Sequence, residues 1–293
     1  MDFVIEEYWD DILKEILENS RRRIIYITGD VDTGKTTFAF YLLSSLTSCF
    51  TVGYLDCDPG QSTIGPPCTV SLGVFKKGIK KINMQKPDSV YMKFIGSTSP
   101  AGHLLQTVSG IKRLAEKADE LKIDKILIDS SGFIKGNVAN EFQFQVIDLV
   151  RPNYIIEIYN NFSLKPLLRN FKKSSEIIRM KTSDSVVLRN PVKRRQNREQ
   201  IFKYYFNNIK PHQLNIENYS FHGNINNPYE TDLDNILIAL CNRNHYVIVL
   251  GIIDYIDKNR KTIHFYAPPF SEEKVVSIKF GSIKIDIAGN QLS

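Results

Sequence analysis

Cysteine is scarce in this chain of 293 residues: there are four, at positions 49, 57, 68 and 241. They form no CxxC pair and their spacing is irregular, which argues against a zinc site and a disulfide framework and leaves reduced thiols as the expectation. A long apolar run is missing too. The most apolar stretch, 235–256, is broken by Cys241-Asn242-Arg243-Asn244-His245, so it reads as two strands around a turn and not as a membrane span. The start, Met1-Asp2-Phe3-Val4-Ile5-Glu6-Glu7, is acidic where a secretory leader is basic, so the expected setting is cytoplasmic, with no membrane partner. Internal repeats and low-complexity segments are absent as well.

What is present is an ordinary globular composition, 42% hydrophobic and 24% charged, with enough chain for a full α/β domain and a smaller second one. The net charge of +6 is unevenly placed: residues 165–203 hold twelve Lys and Arg against Glu176, Asp184 and Glu199. Such a run fits a polyanionic partner, and it also fits one solvated helix face.

Apolar residues over 3–18, from Phe3 through Trp9 and Ile12 to Leu17, recur at helical spacing. Strands then alternate with helices: strand 24–28, helix 35–47, strand 51–57, strand-like runs at 69–75 and 90–95, helix 103–121, strand 125–129, helix 139–149 and strand 153–158. Continuous apolar strands such as Lys125-Ile126-Leu127-Ile128-Asp129 predict a mostly parallel sheet covered by helices on both faces, with ligands at the carboxyl ends of its strands. Beyond residue 210 the texture becomes short β-branched and aromatic runs at 235–240, 246–253, 261–266, 275–280 and 282–287. That texture predicts a small β domain over 211–293, with 211–230 as its connector.

Residues 29–37, Gly-Asp-Val-Asp-Thr-Gly-Lys-Thr-Thr, complete a GxxxxGK[ST] loop between the first strand and the first long helix of the alternating region. The glycines let successive N–H groups turn inward on phosphate oxygens, and the helix adds its positive end. Gly29, Asp30, Val31, Asp32, Thr33, Gly34, Lys35, Thr36 and Thr37 are therefore the candidate triphosphate cradle of a P-loop NTPase fold. Lys35 is placed to reach the β and γ phosphates, and Thr36 to hold magnesium.

Asp56 and Asp58 end the next strand at i and i+2, a spacing that puts both carboxylates on one face, beside the loop if this strand neighbours the first. One acid can take the proton of an attacking hydroxyl, the role preferred for Asp58, while Asp56 supports the magnesium shell. Asp58-Pro59-Gly60 also has the composition of a plain turn. Asp129, ahead of Ser130-Ser131-Gly132, competes for the metal role. Thr98, Ser99 and Pro100 leave a strand in a loop able to grip a phosphate or a sugar edge, and equally able to cap a helix; His103 follows within reach of a substrate. Arg194 and Arg198 share one helix face at i and i+4, a guanidinium fork suited to charge developing on a transferring phosphoryl group, while Lys193 and Arg195 also suit the surface.

In this order, the phosphate loop, Asp56-Cys57-Asp58-Pro59-Gly60-Gln61, Gly96-Ser97-Thr98-Ser99-Pro100, Asp129-Ser130-Ser131-Gly132-Phe133-Ile134-Lys135-Gly136 and the arginine run before Tyr204-Tyr205-Phe206 resemble the polynucleotide 5′-hydroxyl kinases. That family includes the kinase subunit of the pre-mRNA cleavage factor and the nucleolar pre-ribosomal-RNA processing kinase. The β tail is similar as well, through Val249-Leu250-Gly251 and Phe280-Gly281-Ser282. The resemblance implies transfer of the γ-phosphate of ATP, with GTP as the other nucleotide to consider, to a free 5′-hydroxyl of RNA or DNA with magnesium. It implies that Asp58 and Gln61 orient the nucleophile and that Thr98, Ser99 and Pro100 clasp the terminal phosphodiester. Arg194 and Arg198 fall in a lid at about 190–200, with Arg195 beside them, and Phe133 stands where relatives carry a stacking tryptophan. The kinase domain then spans 23–210. An ATP-binding scaffold without turnover and a small-molecule kinase or GTPase are the alternative readings.

Overall fold

The computed structural model describes residues 5–19, 23–79, 82–160, 163–223 and 233–292. Residues 3 and 4 of the expected first helix and 224–230 of the expected connector lie outside them.

Helix α1 (Glu7–Glu18) turns Trp9, Ile12 and Ile16 inward, the 3.6-residue spacing of one apolar face. Strand β1 (Ile24–Gly29), helix α2 (Lys35–Leu46), β2 (Val52–Asp56), β3 (Thr69–Phe75), β4 (Ser89–Phe94), α3 (Leu104–Glu120), β5 (Lys125–Asp129), α4 (Asn137–Val150), β6 (Tyr154–Tyr159), α5 (Lys165–Leu168) and β7 (Glu176–Lys181) complete the first layer set. Its seven-stranded sheet runs β4-β3-β2-β5-β1-β6-β7. The five strands β2, β5, β1, β6 and β7 are mutually parallel, and β3 joins β2 and β4 antiparallel at one edge. Strands β1, β2 and β5 are apolar along both faces because both are covered: one by α3 and α4, the other by α1 and α2.

Asn190 caps the long helix α6 (Pro191–Tyr205) by accepting from Lys193 N at 2.8 Å, and Pro191 occupies its first turn. The arginine run Lys193–Arg198 and the aromatic segment after it are thus one continuous helix, with Phe202 fully buried, while the rest of the basic stretch lies on α5 and β7 and the loops around them. The second sheet runs β8-β12-β11-β10-β13-β9. Its strands are β8 (Lys210–Asn215), β9 (Ser220–His222), β10 (Ile236–Cys241), β11 (Val247–Asp257), β12 (Thr262–Ala267) and β13 (Ser277–Lys284). The described part of the expected connector is therefore largely strand: β8 pairs with β12 along six residues despite Pro211, which an edge strand tolerates. The two runs expected at 275–280 and 282–287 share one strand, Ser277–Lys284, whose pairing with β10 shifts register between Phe280 and Lys284, a bulge where a turn was expected. Phe94, Phe202 and Phe206 pack with Leu237, Leu250 and Ile252, joining α6 and the first sheet to the second.

Candidate functional site

The phosphate loop forms because its backbone can enter left-handed space: Gly34 has φ +92°, and Asp32, the one side-chain-bearing loop residue to do so, has φ +54°. A Cβ on Gly29 would run into the Ile158 carbonyl of β6, so only glycine fits where β1 ends. The carboxylate of Asp32 holds two arginines, Arg189 at 3.1 Å and Arg194 at 2.9 Å, and also accepts from Arg189 N at 2.9 Å. Burial draws the Asp32 carboxyl upward, but those donors outweigh it and hold it below its usual range.

Lys35 is nearly enclosed, and its ammonium donates to the Asp30 carbonyl at 2.6 Å. Burial pulls its pKa down, against the pull of Asp129, Asp58, Asp30 and Asp32. The Thr36 hydroxyl donates to Asp129 Oδ2 at 2.7 Å, and the Tyr54 hydroxyl donates to the same oxygen at 2.7 Å. The other oxygen, Asp129 Oδ1, is buried without a hydrogen-bond partner. Burial raises the Asp129 pKa, offset by Lys35 and these hydroxyls.

Of the two acids expected to end one strand, Asp56 ends β2 and Asp58 lies in the turn beyond it. Strand β2 does not neighbour β1; β5 lies between them, so Asp129 stands closest in the sheet to the loop strand and Asp56 is its register partner on the far side. Asp56 is closed off by its own turn: it accepts from Asp58 N at 3.2 Å, Thr63 N at 2.5 Å and Ile64 N at 3.1 Å. Burial, then the Asp129 carboxylate, pushes it up to about 7 despite those donors. It braces the turn 58–64 from a place in the cleft lining, and the hydroxyl contact to Thr36 belongs to Asp129. Asp58 takes the backbone N–H groups of Gly60 and Gln61 on Oδ1, at 2.8 and 3.0 Å. It is thus both the turn residue and, with Lys35, Thr36, Gln61 and Asp129, part of the lining of one cleft of about 1190 Å³.

The loop 96–103 abuts the turn that carries Asp58, since the Thr98 carbonyl meets Gly60 so closely that a Cβ there would collide with it, but none of its residues is among those lining the cleft. Ser99 Oγ accepts from Ala101 N at 3.2 Å, and Pro100 is buried. His103 faces away, sharing a hydrogen bond between Nε2 and Ser282 Oγ at 3.2 Å. Phe133 is half-buried and meets Phe142 edge-on at 5.9 Å, so in this conformation its ring belongs to the core beneath α4. Arg194 turns its guanidinium to Asp32, while its carbonyl accepts from Gln61 Nε2 at 3.3 Å. Arg198 Nε is buried and unpartnered, one N–H of the group reaching Gln291 Oε1 at 3.4 Å. Arg195 pairs with Glu199 at 2.9 Å and with the Gln291 carbonyl, on the side of the C-terminal tail.

Three participants escaped the sequence reading: Asp32 as anchor of the arginines, Arg189 as its second partner, and Lys135, which bridges to Asp30 at 2.5 Å. Lys135 sat inside a motif already singled out. The ion pairs of Asp32 span 157 and 162 residues and had no local signal.

Strand order, loop and strand-end acid define a P-loop nucleotide-binding protein. A family model described as the P-loop of the mRNA cleavage and polyadenylation factor CLP1 matches residues 29–208, and the chain belongs to that family. It is 25% identical to a polyribonucleotide 5′-hydroxyl-kinase of Methanocaldococcus jannaschii, over 96% of this chain and 92% of the relative. It is 28% identical to one of Pyrococcus furiosus, over 95% and 92%. The solved structure of a Clp1p–Pcf11p complex superposes with a TM-score of 0.73 over 95% of this chain and 79% of that one, at 13% identity, a likeness of fold alone. No described helix is long and apolar enough to cross a membrane.

Proposed function

We propose that this chain is a polynucleotide 5′-hydroxyl kinase that transfers the γ-phosphate of ATP to the 5′-hydroxyl end of RNA or DNA. The observation that carries the reading is the convergence of Lys35, Thr36, Asp58, Gln61 and Asp129 on one cleft roomy enough for a triphosphate and a strand terminus side by side. In the reaction the 5′-oxygen attacks the γ-phosphorus, a new O–P bond forms, the bond to the bridging oxygen breaks, and ADP leaves. Asp58 takes the hydroxyl proton on Oδ2, since Gly60 and Gln61 occupy Oδ1. Lys35 leaves the Asp30 carbonyl for the β and γ oxygens. Arg194 and Arg198, on the lid at about 190–200, neutralise charge on the transferring group once Asp32 releases Arg194. The clasp of Thr98, Ser99 and Pro100 positions the terminal phosphodiester.

The donors fit magnesium: a threonine hydroxyl and a carboxylate share a hydrogen bond, and the remaining carboxylate oxygen is buried and unpartnered, a hard-oxygen set completed by phosphates. Thr36 and Asp129 would hold it, with Asp58 alongside. A bound magnesium ion would supply charge neutralisation on the phosphate oxygens. GTP is tested as an alternative donor.

The decisive assay presents γ-labelled ATP and matched 5′-hydroxyl RNA and DNA oligomers to the purified chain. Label at the 5′ end is the expected result, and none on any end with ATP or GTP would refute the proposal.

A further inference from the structure

On the other side of the loop 96–103, between α3 and β13, lies a second pocket of about 500 Å³ walled in part by Lys93, Arg113, Lys279, His103 and His222. No Asp or Glu lines it among the described residues. Lys93 is only 8% exposed. Its ammonium donates to the Asn244 and His245 carbonyls at 3.0 Å each and sits 4.5 Å from the Tyr246 ring centre, with no carboxylate partner. Lys279 has none either among the described residues. Arg113 is balanced by Glu116 at 3.2 Å, an acid it shares with Lys112. Burial, then Lys279 and Arg113, holds Lys93 down to about 8. A pocket that gathers three cations, two of them without a carboxylate partner among the described residues, is suited to an anion.

Its position narrows the anion. The loop is pinned to β13 where Ser282 N and Oγ donate to the Gly96 carbonyl at 2.8 and 3.0 Å, two and three strand positions from Phe280 and Lys279. Its other side abuts Gly60 beside Asp58. The loop therefore stands between the catalytic cleft and this pocket, so a strand crossing it from Asp58 arrives here. Among the described residues, Lys35 and Arg189 are the lysine and arginine that line the cleft itself, one serving the triphosphate and the other held by Asp32.

We infer that this pocket binds a phosphodiester of the polynucleotide on the 3′ side of its accepting end, a second anchoring site beyond the clasp. The inference rests on the kinase reading above, and its test separates the two. Arg113→Gln/Lys279→Gln replaces two partly exposed groups that carry no core packing. With a dinucleotide acceptor the double variant should match the wild type in kcat/KM. With an oligomer of about 12 nucleotides its KM should rise about ten-fold, and the slope of log affinity against log salt should fall by about 1. Equal effects on both lengths, or none on the long one, would overturn the site while leaving the kinase intact. If the wild type phosphorylates nothing, the activity is wrong, and fluorescence anisotropy of a labelled 12-mer without ATP still decides the site: equal affinity for both proteins rejects it.

Discussion

At the carboxyl edge of the parallel sheet and on helix α6, Asp129 Oδ1, Ser131 Oγ, Gln61 Oε1, Arg194 Nε and Arg198 Nε are buried with no hydrogen-bond partner. In the second sheet and its flanks, among the described residues, only His212 Nε2 and Ser277 Oγ are in that condition. Each such atom costs about 1–3 kcal/mol in a folded protein. The first region carries five such atoms among the described residues, and the second, packed around Phe265, Ile253 and Leu240, carries two. The difference fits a division of labour in which the first region is completed by its ligands and the second supplies rigidity. Breaking each region in turn should have opposite consequences.

The largest effect belongs to the cleft. Lys35→Ala and Asp58→Asn should each lower kcat by roughly 10³-fold or more, because one removes the cation proposed to meet the phosphates and the other the proposed proton acceptor. Neither should lower the melting temperature by more than about 3 °C, since Lys35 is a desolvated cation whose loss relieves burial. Steady-state transfer and thermal unfolding on the same preparations check both halves.

In the β domain the pattern should invert. Phe265 is 1% exposed and stacks at 5.6 Å on His212, so Phe265→Ala should cost about 3–5 kcal/mol in denaturant unfolding. At a temperature where the variant stays folded, its KM for ATP should remain within about two-fold of the wild type, because Phe265 lies outside the cleft lining. A ten-fold rise in that KM would erase the proposed contrast.

Much of this division was legible in the residues. Glycine, lysine and threonine at fixed offsets specify the phosphate loop because each has a local stereochemical duty, and alternating apolar runs specify the parallel sheet. What was illegible depends on strand order. The sequence does not say that β5 inserts between β1 and β2, and that insertion gives Asp129, not Asp56, the Thr36 hydroxyl. The arginine fork was visible as a helical pair, but its anchoring to Asp32 is a contact across more than half the chain. Pro211 and five asparagines made residues 211–230 look like a linker, yet the Pro211 segment pairs as an edge strand where a missing N–H is harmless.

Asp129→Asn sharpens the comparison within the cleft itself. Asparagine keeps an oxygen for Thr36 and Tyr54 while removing a carboxylate that burial already disfavours. Unfolding stability should stay level or rise by about 0.5–1 kcal/mol, while kcat falls about 10²-fold, the exchange of stability for activity expected of a functional acid. Lower stability together with full activity would reassign Asp129 to a structural role.

The smallest effect lies at the seam between the two regions. Lys93 on β4 is faced by Lys279 on β13, Arg113 on α3, the His245 turn and the Cys241 thiol on β10, and its folded pKa of about 8 lies below the unfolded value. Between those values the unfolded chain holds more protons, so stability rises with pH across roughly 8 to 10 and is lost as pH falls through about 8. The contribution is on the order of 1–3 kcal/mol. Lys93→Met should flatten this part of the profile relative to the wild type. A 5′-phosphorylated 12-mer, which brings the missing negative charge without serving as an acceptor, should flatten it in the wild type by favouring the charged ammonium. Parallel profiles for the two proteins would mean that Lys93 is fully compensated by its carbonyl partners and the Tyr246 ring, and the seam would then belong with the satisfied β domain.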